Sequence, residues 1–130
     1  MLYLDSSAIV KLVAPEPESG ALVARLRSDP ETVSSALAGV EVLRAVRRTG
    51  AAVEMLGRAE AVLDRIGLVA MDSGVLRRAS MLEPTDLRTL DAIHLATALT
   101  LGPEIVGLVT YDARLAQAAS RAGLAALAPS

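Results

Sequence analysis

The chain has 130 residues, the length of one domain with a substantial core, and its net charge at neutral pH is −2. It contains no cysteine and no apolar segment of the roughly 18–20 residues that a membrane span requires, so we expect a cytoplasmic protein without disulfides, signal peptide or membrane anchor. Only 2% of the residues are aromatic and the net charge is negative, so neither base stacking nor overall electrostatic attraction favours the binding of nucleic acid.

The chain begins with a short apolar run, Leu2–Leu4, that leads directly into Asp5. Such a run is typical of a strand buried on both faces of a parallel sheet. Asp5 then lies at the carboxyl end of the strand, where it can cap the helix that follows. Open parallel sheets bind their ligands at this edge, so the pattern predicts a carboxylate at the ligand-binding edge.

Strand and helix patterns alternate along the rest of the chain. Further strands are expected at Thr32–Ser35, Leu68–Ala70, Ile105–Thr110 and Leu124–Leu127. Helices are expected at Ser6–Val13, Ser19–Arg27 (capped by Ser19), Ala36–Arg48, Ala52–Arg65, Gly74–Leu82, Thr89–Leu101 (capped by Thr89) and, after a cap at Asp112, through Ala122. This alternation indicates a single α/β domain, with a parallel sheet covered on both faces.

The helix Thr89–Leu101 is apolar on nearly every side, which marks it as buried. Asp91 and His94 lie in it three residues apart, and therefore on the same side. A buried charge is unfavourable unless it is paired or binds a metal ion. Asp91 could be satisfied by the free backbone N–H groups and the dipole of the first turn, or could belong to a site. His94 alone is more typical of a hydrogen-bonded core histidine than of a ligand.

Glu41 and Asp112 also have ordinary structural explanations when each is considered alone. Glu41 lies at the border of the apolar and arginine-rich arcs of its helix, where it could pair with Arg44. Asp112 follows the fourth strand and could be a plain helix cap, as could Asp5. The remaining aspartates have the pattern of loop or solvent-facing acids: Asp29, Asp64, Asp72 and Asp86.

Considered together, the four acids indicate a functional site at one end of the sheet. Asp5 and Asp112 follow strands, Asp91 opens the buried helix, and Glu41 lies within about two helical turns of the second strand's end. Clustered carboxylates raise one another's pKa and imply shared protons or a cation. An all-oxygen ligand set favours Mg²⁺ or Mn²⁺, and a bound water is a natural nucleophile for phosphodiester hydrolysis. Hydroxyls that could orient the ligands or this water come from Ser7 and Thr110.

Four segments in this order carry a resemblance to a known family. They are LDSSAIVKL with PEPES, SALAGVEVLRA, LRTLDAIHLATAL, and VTYDARLAQAA with GLAAL, and they cover essentially the whole chain. They resemble a PIN domain, and more narrowly the VapC-type ribonuclease toxins of prokaryotic toxin–antitoxin pairs; DAIHLA followed by TYD is the most specific part. The resemblance implies a PIN-like three-layer sandwich with a five-stranded parallel sheet, and a Mg²⁺- or Mn²⁺-dependent endoribonuclease. It also implies a cognate antitoxin whose tail blocks the acidic pocket, and a homodimer.

The resemblance assigns roles by position. The matching functional positions are Asp5, Glu41, Asp91 and Asp112 for the acidic quartet, and Ser7 and Thr110 for the hydroxyls. Asp5 and Asp91 are the principal expected metal ligands. Residues considered for RNA contact are His94, Arg44 and Arg48. Two departures are Ser6, where many members have threonine, and Arg114 with Leu115, where some carry a further acid, so a complete second metal site is not expected.

Two other functions stay open. Phosphoryl transfer on Asp5, as in haloacid dehalogenase-like or receiver domains, is disfavoured. The former requires a second aspartate where Ser7 stands, and the latter requires a late lysine, whereas the chain's only lysine is Lys11. A catalytically inert PIN-like module that only binds a partner would be expected to lack one of the acids, and all four are present.

Overall fold

The computed structural model describes residues 1–50 and 52–130. Within these ranges the strands are β1 (Leu2–Leu4), β2 (Thr32–Ser35), β3 (Gly67–Val69), β4 (Gly107–Val109) and β5 (Ala126–Leu127). The α-helices there are α1 (Ser6–Val13), α2 (Ser19–Ser28), α3 (Leu37–Arg48), α4 (Val53–Leu63), α5 (Ser73–Ser80), α6 (Thr89–Leu101) and α7 (Ala113–Arg121). The strands form one parallel sheet in the order β3-β2-β1-β4-β5. The predicted α/β class with a five-stranded parallel sheet is confirmed.

The central strand β1 directs its side chains alternately to the two faces of the sheet. Leu2 and Leu4 pack with α1 to α4 on one face, whereas Tyr3 packs with α6 and α7 on the other. All three side chains are fully buried. The apolar run at the start of the chain is therefore a strand covered on both faces, as its pattern predicts.

The order of the strands reverses beside β1. From β1 the chain builds β2 and β3 on one side and then returns to place β4 and β5 on the other. Neighbouring strands that lead to opposite sides leave a crevice at their carboxyl ends, and α/β sheets bind ligands there. Leu4 is paired with Val109 at the ends of β1 and β4, so the segments that carry Asp5 and Asp112 emerge side by side.

Several ends of elements differ from the prediction. Ser19 and Thr89 are the first residues of α2 and α6 and not their caps; the residues before them make no side-chain capping hydrogen bond. The strand predicted from Ile105 begins at Gly107, because its partner β1 begins only at Leu2. Asp72 is exposed in the loop before α5, as predicted, and it also caps that helix by accepting a hydrogen bond from the backbone of Val75. None of the helices in the described ranges is long and apolar enough to cross a membrane.

Candidate active site

Asp5 is the most buried acid at the carboxyl edge of the sheet, with 3% of its surface exposed. Its Oδ1 accepts hydrogen bonds from the Ala8 backbone N–H (3.0 Å) and the Ser7 hydroxyl (2.6 Å), and its Oδ2 accepts one from the Thr110 hydroxyl (2.5 Å). Burial raises the pKa of Asp5, while the Ser7 and Thr110 hydroxyls oppose that rise by stabilising the charged form. Three donors occupy three of the roughly four acceptor positions of a carboxylate, which leaves room for one more partner.

The same two hydroxyls connect Asp5 to the segment after β4. The Ser7 oxygen accepts a hydrogen bond from the backbone N–H of Tyr111 (3.0 Å). The Thr110 oxygen accepts one from the backbone N–H of Asp112 (3.0 Å). Each hydroxyl thus donates to the carboxylate and accepts from the neighbouring loop, so the ends of β1 and β4 are fixed relative to each other.

Asp91 and Asp112 complete an acidic group around Asp5. Asp91 is half-buried in the first turn of α6, and its pKa is raised first by burial and then by the negative charges of Asp112 and Asp5. Asp112 caps α7, where its Oδ1 accepts hydrogen bonds from the backbone of Arg114 (2.8 Å) and Leu115 (3.1 Å). The charges of Asp5 and Asp112 therefore both act on Asp91 at one end of the sheet.

Glu41 is bound by His94 rather than by Arg44. Its Oε1 lies 2.6 Å from Nε2 of His94, and Nδ1 of His94 lies 2.8 Å from the hydroxyl oxygen of Tyr3. His94 is 1% exposed, with both ring nitrogens engaged. The interpretation of His94 as an RNA-contacting residue is corrected here, because a buried ring with both nitrogens engaged has no surface for a polynucleotide. Sequence reasoning missed Tyr3, which has the pattern of an ordinary apolar strand residue.

The four acids do not form a closed cage. Among residues 1–50 and 52–130, no three His, Asp or Glu side chains are arranged so that they could hold a metal ion together. The physical reason is that Glu41 is bound to His94 and Asp112 is bound to the start of α7, while like charges keep carboxylates apart. Mg²⁺ usually keeps several waters and is held by one or two carboxylates, so a closed cage is not required. The repulsion that Asp5 and Asp112 exert on Asp91, with oxygen as the only donor atom of all three, fits such a hydrated ion.

A cleft of about 420 Å³ lies between α1 and α3, and of the four acids it is Glu41 that lies on its wall. Ser7 and Glu41 lie on its walls together with two basic residues, Lys11 and Arg48. Arg48 also belongs to an exposed arginine group on α3 that includes Arg44. Of the three side chains considered for RNA contact, Arg48 therefore lies exposed on the wall of the cleft, and Arg44 is exposed near it on the same helix.

Comparison with known proteins gives consistent results. Residues 2–121 match the PIN domain family. Ribonuclease VapC46 of Mycobacterium tuberculosis is 50% identical over 129 residues, which cover 99% of this chain and 98% of that protein. Ribonuclease VapC35 of the same organism is 42% identical over 133 residues, covering 99% and 97%.

Two solved structures share the fold at lower identity. The sarcin–ricin-loop-cleaving toxin VapC20 of Mycobacterium tuberculosis superposes with a TM-score of 0.76 at 17% identity, over 99% of this chain and 100% of that one. A toxin–antitoxin complex from Klebsiella pneumoniae gives a TM-score of 0.70 at 18% identity, over 89% and 90%. These similarities concern the arrangement of the sheet and its helices.

Proposed function

The chain belongs to the PIN-domain family and, within it, to the VapC ribonucleases, and from this membership we propose that it is a metal-dependent endoribonuclease and the toxin of a toxin–antitoxin pair. The observation that carries the proposal is the acidic group of Asp5, Asp91 and Asp112 at the reversal point of the sheet. Two proteins named as ribonucleases are 50% and 42% identical to this chain over nearly its full length, which supports the same reaction class.

Asp5 and Asp91 are the residues that we propose to hold a Mg²⁺ or Mn²⁺ ion, with Asp112 and Glu41 nearby. When bound, the ion supplies neutralisation of charge at the scissile phosphate and a more acidic water as nucleophile. The three donors to Asp5 support this assignment, because they fix the plane of its carboxylate before any ligand arrives.

The chain's own groups have separate proposed tasks in hydrolysis. Because Oε1 of Glu41 is engaged by His94, we assign its Oε2 to accept a proton from the attacking water. Arg44 and Arg48 are proposed to bind phosphates of the RNA on either side of the cleaved bond. Because the proposed substrate is RNA, we also propose that the protein acts in the cytoplasm.

The proposed partners are a cognate antitoxin, whose tail blocks the acidic pocket around Asp5, and a second copy of the chain. A toxin–antitoxin complex of the same fold supports the first of these. Expression of the chain should arrest growth, and co-expression of the antitoxin encoded beside it should restore growth. Growth arrest that persists with the antitoxin present would contradict this assignment of partner.

The activity is tested by cleavage of a panel of structured and single-stranded RNAs in Mg²⁺ or Mn²⁺. Wild-type protein is compared with Asp5→Asn and Asp91→Asn, and with Asp64→Asn as a matched control, because Asp64 is exposed and lies just before β3, at the opposite edge of the sheet from the site. Cleavage by the wild type and the control, and none by the other two, is the expected result. Equal cleavage by all four proteins would contradict the assignment.

A further inference from the structure

We infer that His94 is a positioning residue, which holds the carboxylate of Glu41 in place through the hydrogen on Nε2, and that Tyr3 determines which nitrogen of the ring carries this hydrogen. The inference deepens the proposed function, on which only its kinetic part depends. It concerns three side chains that lie one behind another from the core to the cleft: Tyr3, His94 and Glu41.

The contact between Glu41 and His94 joins the two helical layers. Glu41 belongs to α3, which packs with Leu4 on one face of the sheet. His94 belongs to α6, which packs with Tyr3 on the other face. A hydrogen bond between layers on opposite faces has to pass around the edge of the sheet. This hydrogen bond therefore fixes the carboxylate of Glu41, on α3, relative to α6, the helix that carries Asp91.

Tyr3 is suited to orient the histidine ring. Its hydroxyl is fully buried, and a tyrosine hydroxyl, whose ordinary pKa is about 10, already keeps its hydrogen at neutral pH. A neutral hydroxyl 2.8 Å from Nδ1 can donate to that nitrogen, which leaves Nε2 as the donor toward Glu41. The ring planes stand at 76° to each other in an edge-on arrangement that fixes the histidine further.

Glu41 is the member of the chain that reaches the cleft. Its side chain is 20% exposed, compared with 1% for that of His94. A glutamate on a partly exposed helix surface has several rotamers of similar energy, and a charge-assisted hydrogen bond to a buried, immobile donor selects one of them. The expected consequence is a carboxylate whose free oxygen is directed into the cleft lined by Ser7.

Two amide substitutions separate positioning from simple filling of space. In His94→Gln the amide nitrogen can take the place of Nε2 and still donate to Glu41. In His94→Asn the shorter amide can take the place of Nδ1 and still accept from Tyr3, but it does not reach Glu41. Loss of a hydrogen bond that orients a functional carboxylate is expected to lower kcat for RNA cleavage by about 10- to 100-fold in the asparagine variant. The glutamine variant should keep most of the wild-type kcat, and KM should change little in either.

A spectroscopic measurement tests the same contact without activity. Because His94 is the only histidine, the long-range ¹H–¹⁵N spectrum of the imidazole group belongs to one ring and needs no assignment. A hydrogen on Nε2 in the wild-type protein is the expected result. Tyr3→Phe, which keeps the ring in the core and removes the hydroxyl, should shift the ¹⁵N signal of Nδ1 toward that of a nitrogen without a donor.

The outcomes distinguish this inference from the proposed function. A wild-type protein that cleaves no RNA, with the hydrogen on Nε2, would overturn the ribonuclease assignment and support the contact. A folded His94→Asn variant that cleaves as fast as wild type would overturn the positioning role. A ring whose only hydrogen is on Nδ1 would also overturn it. If neither amide variant folds, the wild-type spectrum decides.

Discussion

Replacing Thr110 by valine removes the hydroxyl that binds Asp5 and keeps the shape of the side chain. Thr110 is buried, and its hydroxyl both donates to Oδ2 of Asp5 (2.5 Å) and accepts from the backbone N–H of Asp112 (3.0 Å). A hydrogen bond to a charged group contributes about 1.5–3 kcal/mol, and an unpaired, partly buried N–H costs about 1 kcal/mol. We therefore expect Thr110→Val to lower the free energy of unfolding by about 2.5–4 kcal/mol.

Thr110→Ser is the matched control, because it keeps the hydroxyl and removes only a buried methyl group. Its expected cost is about 1 kcal/mol. Urea unfolding of the metal-free proteins at neutral pH measures both values, and the dependence on urea should have the same slope for all three proteins. A valine variant no less stable than the serine variant would refute the account of how Asp5 is held.

The pH dependence of this difference has a definite sign. The pKa of Asp5 is already raised in the folded protein, and loss of the Thr110 donor raises it further. A raised folded pKa contributes stability below the unfolded pKa, and this contribution is lost as the pH rises through the folded pKa. The gap between wild type and Thr110→Val should therefore be smaller in acid, where the unpaired N–H of Asp112 still contributes, and should widen as the pH rises through the folded pKa of Asp5.

Two further predictions concern the acidic group and the sheet. The pKa of Asp91 is raised by burial and by its acidic neighbours. Asp91→Asn should therefore make the metal-free protein more stable than wild type above that pKa and should leave its stability nearly unchanged in acid. A difference in melting temperature between the two proteins that stays the same at every pH would contradict this. A Cβ at Gly107 would lie 2.7 Å from Cδ1 and 3.2 Å from Cγ of Leu127, so the end of this leucine side chain has to shift. Gly107→Ala should therefore lower the free energy of unfolding by about 1 kcal/mol in urea unfolding. An unchanged midpoint would show that Leu127 moves aside freely.

Features with a local cause could be predicted from the sequence. The strand Leu2–Leu4 and the cap at Asp5 depend on adjacent residues, and both are present as expected. The burial of α6 could be predicted because its sequence is apolar on nearly every side. In the structure the seven consecutive residues from Ala92 to Ala98 are buried. The carboxyl ends of parallel strands share one edge, so the proximity of Asp5 and Asp112 follows from topology alone.

Features that depend on distant partners could not be predicted. Glu41 and His94 are 53 residues apart in the sequence. Helical periodicity indicates only partners on the same helix, and for Glu41 the candidate is Arg44. Tyr3 looks like any core residue of a strand, since nothing in the sequence shows that its hydroxyl meets a histidine 91 residues later. The ends of β4 differ for the same reason, because they are set by the length of β1 and not by local apolar content.

The proposed dependence on a divalent ion is tested most directly by removing and restoring the metal in one cleavage reaction. The wild-type protein is stripped with EDTA, mixed with an RNA that it cleaves, and then given an excess of Mg²⁺ or Mn²⁺. Cleavage is expected to stop in EDTA and to return with either ion, because a bound cation would offset the negative charges of Asp5, Asp91 and the phosphate. Cleavage that continues unchanged in EDTA would contradict the proposed dependence.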